Sequence, residues 1–158
     1  MEDQTKMMKA KKTYETLCKL LDEKDWKYKK NEEKLQIECG AQGEDLPMEI
    51  TIAVDAERML IILLSAMPFS VPEDKRLEVA IAVSAINNRL VDGSFDYNVA
   101  TGSMFFRMTN SFIESTISAD VFLYLLICSC KTIDEYNDKL MLLSSGTVSI
   151  EKFLSALN

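Results

Sequence analysis

Cys128 and Cys130 stand two residues apart in a helical segment, which turns them to different faces and keeps them from sharing a metal ion. Cys18 and Cys39 complete the set, and no C-x-x-C pair occurs. All four read as buried, reduced thiols. The chain has no histidine, which removes the commonest general base and metal ligand together. Ser-His-Asp and Cys-His catalysis are excluded within this chain, and neither G-x-x-x-x-G-K-[ST] nor G-x-G-x-x-G is present. Carboxylates near strand ends in "EDLPMEI" and "DAERM" are the acid–base candidates that remain, and surface solvation accounts for them. No catalytic residue, metal or cofactor is expected, and the chain reads as a non-enzyme. The competing reading is a small-molecule-binding or enzymatic domain that uses carboxylates without histidine.

Charge narrows the partners. The 158 residues carry a net charge of −7, split unevenly: residues 1–34 are net +2 and residues 35–158 net −9. A body that acidic repels phosphate backbones, so nucleic acid is not an expected partner. The lysines of "KMMKAKK" read as the solvated face of a first helix. No apolar h-region of a signal peptide is seen near residue 1, and "MLIILL" and "VFLYLLIC" fall far short of the ~20 residues that span a bilayer. The expected location is cytoplasmic.

The elements follow from periodicity. Residues 5–24 predict a helix with Tyr14, Leu17, Cys18 and Leu21 on one face. "DWKYKKNEEKLQIEC" predicts a hairpin turned at "NEE", with Trp26 and Tyr28 alternating with lysines. "MEITIAV" alternates as a half-buried antiparallel strand does. "MLIILLSAM" is continuously apolar and predicts a central strand covered on both faces. "SVPEDKRLEVAIAVSAINNRLVDG" predicts a helix with a capping box at Ser70 and Glu73, an apolar stripe of Leu77, Ala80, Val83, Ile86 and Leu90, and Gly93 just past its end. Two strands follow around "ATG", with Gly102 at positive φ. A long helix over 119–144, closed by Gly146, and a short helix in "SIEKFLSALN" complete the chain. The sum is a single α+β domain over 1–158: five or six antiparallel strands with helices mainly on one face, in the order α-β-β-β-β-α-β-β-α, and a helical extension at 147–158.

Three positions stand out as structural: Asn87, Gly93 and Gly102. Asn87 falls on the apolar stripe of its helix, where an amide must find partners, and the neighbouring loop or strand backbone is the expected one. Phe105 and Arg107 share one face of their strand, opposite Met104, Phe106 and Met108. They are candidates for a protein-contact surface, with Trp26 and Tyr28. A stacking pair of Phe105 with Arg107 within the sheet is the alternative.

The stretch "VPEDKRLEVAIAVSAINNRLVDGSFDYNVATGSMFFRM" resembles the central segment of the YbjN-type bacterial sensory transduction regulators. Val71-Pro72-Glu73, Asn87, Gly93, Phe95, Gly102 and Phe106-Arg107 carry the likeness, and "DWKY" before it and the long helix after it match in order. The resemblance extends over roughly residues 10–145. It implies a type III secretion chaperone-like fold, a curved antiparallel sheet with helices packed against it. Proteins of that fold are small acidic dimers that bind extended protein segments. The expectation is therefore a chaperone-like or regulatory protein-interaction module with a protein partner, itself a homodimer through apolar side chains of 59–64 and Phe105 on the open sheet face.

Overall fold

The computed structural model describes residues 2–157. Helix α1 (Glu2–Glu23) leads into four strands, β1 (Tyr28–Asn31), β2 (Gln36–Gln42), β3 (Pro47–Asp55) and β4 (Leu60–Ala66). Helix α2 (Arg76–Asn87), strands β5 (Ser94–Tyr97) and β6 (Met104–Ser111), and helices α3 (Ala119–Ser144) and α4 (Ile150–Leu157) follow. The strands form one open antiparallel sheet in the order β1-β2-β3-β4-β6-β5. The α+β class and the element order are those the sequence predicts.

Two of the turns use the same device. Asn31 Oδ1 accepts from the Lys34 amide at 3.0 Å, and Asp55 Oδ1 accepts from the Arg58 amide at 2.9 Å. Each loop then ends on a left-handed apolar residue, Leu35 (φ 50°) or Met59 (φ 56°), whose side chain is buried. Core burial offsets the cost of that backbone region, on the order of 1–3 kcal/mol.

Strand alternation sends Ile37 and Cys39, Met48 to Val54 at every second residue, Ile61 and Leu63, Phe95, and Met104, Phe106 and Met108 to one buried face. The helices cover that face. At its centre Phe95 meets Phe106 edge-on at 5.2 Å and Tyr136 of α3 at 6.1 Å. No strand residue on the opposite face is buried. This corrects the expectation for "MLIILLSAM": Ile61 and Leu63 are buried beneath the helices, whereas Leu60, Ile62 and Leu64 are half-buried on the open side.

The start and end of α2 also differ from expectation. A 3-10 turn at Glu73–Lys75 precedes it, and no side chain caps it. The Val71 amide donates to Gly102 O at 2.9 Å, so the segment is tied to the β5–β6 hairpin instead of closing a capping box. The buried stripe is Val79, Ala82, Val83 and Ile86, while Leu77 is 75% exposed. The helix ends at Asn87, several residues before Gly93. Helix α3 runs over the expected residues, with Ser118 Oγ accepting from the Val121 amide at its start.

Candidate functional site

The β5 end of the sheet is built around Asn87. Its Nδ2 donates to Phe95 O at 3.0 Å, and its Oδ1 accepts from the Phe95 amide at 2.9 Å. Strand β5 is an edge, and one carboxamide occupies both backbone groups that Phe95 turns outward. Gly93 (φ 75°) lies against the Phe106 ring, where a Cβ would come within 2.4 Å of its Cζ. Gly102 (φ 78°) sits where a Cβ would stand 2.2 Å from Val71 O. Arg76 locks the same hairpin, donating to Val71 O, Ala100 O and Thr101 O.

On the open face, Phe105 is 41% exposed, and Arg107 projects beside it. Arg107 Nε donates to Asp96 Oδ2 at 2.6 Å and Nη2 to Asp96 Oδ1 at 3.2 Å, with Ser94 Oγ donating to the same carboxylate. The guanidinium is engaged across the strands by this fork, so Arg107 is an ordered part of the surface. Register places Ile62 between Ala53 and Thr109, Leu64 between Thr51 and Arg107, and Ala66 beside Phe105. Leu60, Ile62, Leu64 and Phe105 thus make an apolar stripe. Glu38 and Glu49 flank it on β2 and β3, and the Arg107–Asp96 pair flanks it on β6 and β5.

Trp26 and Tyr28 lie elsewhere. Strand β1 is the opposite edge of the sheet from β5. Trp26 precedes β1, packs against the core, and donates from Nε1 to Gly40 O at 3.0 Å. Tyr28 pairs with buried Cys39 on the inner side and donates to Asp22 Oδ1 at 2.8 Å, tying β1 to α1. Burial and the Asp22 carboxylate push its hydroxyl pKa up. The four aromatic and cationic candidates therefore do not form one surface.

The chemistry of the remaining clusters is muted. All four cysteines are free, and burial pushes the Cys39 thiol up to about 11, away from thiolate reactivity. Among the described residues, no group of His, Cys, Asp and Glu side chains could hold a metal ion. A cavity of about 450 Å³ between α1 and the β1–β2 hairpin gathers Glu15, Asp22 and Glu32, but with Lys11, Lys19 and Lys30 among them. Lys30 lies 2.6 Å from Glu32 and holds its carboxyl below the usual range. Asp22 is taken by Tyr28.

Asp96 is the surface residue that sequence reading missed, although its place opposite Phe105 follows once the Gly102 turn sets the register. Among the described residues, no helix is long and apolar enough to cross a membrane.

No curated protein matches the chain. Among solved structures, the chain is similar to "Crystal structure of YbjN, a putative transcription regulator from E. coli", with a TM-score of 0.57 and 14% identity over 80% of this chain and 92% of that one. At that identity the likeness establishes the fold. The family model described as "Putative bacterial sensory transduction regulator" matches residues 13–141, and the chain belongs to this YbjN family.

Proposed function

We propose that the chain is a non-catalytic regulatory module that acts by protein contact, and that the open sheet face is where a second copy of the chain docks. The observation that carries this reading is the apolar stripe of Leu60, Ile62, Leu64 and Phe105 on a face that no helix covers. Its setting resembles an interface: an apolar centre with a charged rim of Glu38, Glu49, Asp96 and Arg107. Family membership supports a regulatory role.

The size of the face is sufficient for a modest interface. Six strands about 4.8 Å apart and about 23 Å long give at most ~650 Å² per copy, near the low end of the standard interface range. The dimer is accordingly concentration-dependent, and a chaperone-like hold on another protein's extended segment would use the same stripe. The free edges of the sheet are less suited to strand addition, because Asn87 occupies the Phe95 backbone on β5 and β1 is four residues long. Sedimentation velocity over a concentration series tests this, with Ile62→Glu as the disrupting variant. Concentration-dependent dimerisation that Ile62→Glu abolishes supports the reading; a monomer at every concentration refutes it.

A further inference from the structure

A second feature lies in the helical layer, across the sheet from the open face. Helix α4 packs on α2 and α3 through buried Phe153, and it leaves a cavity of about 250 Å³ between itself and the C-terminal half of α3. Phe153, Leu142, Val148 and Leu157 give the cavity apolar walls, and Tyr136 also lines it. Arg89, Lys139 and Lys152 surround it from three different segments, against one carboxylate among the described residues, Glu135. Segment 147–157 lies beyond residues 13–141, which match the family model, whereas Arg89, Glu135, Tyr136 and Lys139 lie within them.

The cations are unusual in their setting. Residues 35–158 hold eight basic residues against seventeen acids. Arg58, Lys75 and Arg107 are held in ion pairs, and Arg76 is held by three carbonyls. That leaves Arg89, Lys131, Lys139 and Lys152 without a carboxylate partner among the described residues, and three of those four surround this cavity. Lys139 Nζ sits 5.6 Å from the centre of the Tyr136 ring and donates to the Glu135 carbonyl. Burial and the Glu135 carboxylate push the Tyr136 hydroxyl pKa up, and Arg89 opposes them.

We infer that this cavity binds a small amphipathic monoanion, a carboxylate on a short hydrocarbon body, with the head group against Arg89, Lys139 and Lys152 and the hydrocarbon against Phe153, Leu142, Val148 and Leu157. Size selects the class: the volume matches about eight water molecules and lies just under the usual range for drug-sized ligands. A nucleotide is too large, and a bare phosphate would engage the cations but leave the apolar walls of Phe153, Leu142, Val148 and Leu157 without a partner. A free fatty acid of medium chain length has both the length and the single charge.

The test titrates the full chain with sodium octanoate, octan-1-ol and octylammonium by isothermal calorimetry. Octanoate binds with one-to-one saturation, and the neutral and cationic analogues bind about tenfold more weakly or worse, the discrimination expected of exposed charges that add modestly each. The double variant Lys139→Glu/Lys152→Glu loses about tenfold in octanoate affinity, while Lys131→Glu, on the same helix but outside the cavity, leaves it unchanged. Val148→Trp fills the cavity and abolishes binding, with the circular dichroism spectrum reporting that the fold is kept. Equal binding of octanoate and octanol, an unchanged affinity in the double variant, or no saturation at about 10 mM octanoate overturns the inference.

Discussion

The Asn87 carboxamide bonds both the amide and the carbonyl of Phe95, at 2.9 and 3.0 Å, and so does for edge strand β5 what a neighbouring strand would do. One side chain on the last residue of α2 thereby orients β5 and closes a strand edge. Replacing it with leucine leaves two backbone groups unpaired next to the core. Asn87→Leu is expected to lower unfolding free energy by about 1–3 kcal/mol in urea denaturation. An unchanged midpoint would show that water serves Phe95 equally well.

Gly102 is limited by space as well as by conformation. With φ at 78° and Val71 O 2.2 Å from a built Cβ, Gly102→Ala must move the backbone that Arg76 clamps. The expected loss is about 1–3 kcal/mol, read from the thermal midpoint. A midpoint equal to that of the parent chain would show that the hairpin shifts at no cost.

The Arg107–Asp96 fork is exposed on both sides, so its worth to stability is small despite its short distances. Asp96→Ala should change unfolding free energy by about 0.2–1 kcal/mol, well below Asn87→Leu in the same assay. An equal loss from the two variants would mean that the fork secures β5 as much as the carboxamide does.

Alkaline stability has a defined direction. Burial raises the Cys39 thiol from its ordinary 9.0 to about 11, and burial, with Cys18 nearby, raises the Tyr14 hydroxyl from 10.0 to about 12. Both groups bind their protons more tightly folded than unfolded. Their contribution is complete below pH 9 and is lost as pH rises through 9–11 for Cys39 and 10–12 for Tyr14. Unfolding free energy measured across this range should fall, and Tyr14→Phe should flatten the upper part of the fall. A pH-independent stability between 9 and 12 would contradict the burial of these groups.

Much of this architecture is legible in local chemistry. Helix α3 has its serine cap, its first-turn Asp120 and its terminal Gly146 in the sequence, and none of these depends on distant residues. The strands announce themselves by alternation. The reading fails where long-range contacts override local signals. Ser70 and Glu73 have capping-box spacing, yet the Val71 amide is drawn to Gly102, thirty-one residues on. Leu77 looks like a core residue by helical period, yet the rotation of α2 that buries Val79, Val83 and Ile86 leaves it in solvent. The cavity beside α4 gathers Arg89, Lys139 and Lys152 from three segments whose spacing in sequence carries no motif.

If the open face of the sheet associates as proposed, sedimentation velocity of the parent chain beside Ile62→Glu and Phe105→Asp will show it. The parent chain should shift with concentration from 17.9 kDa to about twice that mass. Both variants, which place a carboxylate on the solvent-facing side of the sheet and leave the core untouched, should stay monomeric with unchanged circular dichroism. A parent chain that stays monomeric throughout, or variants that dimerise as well as the parent, would show that this face is not a dimer interface.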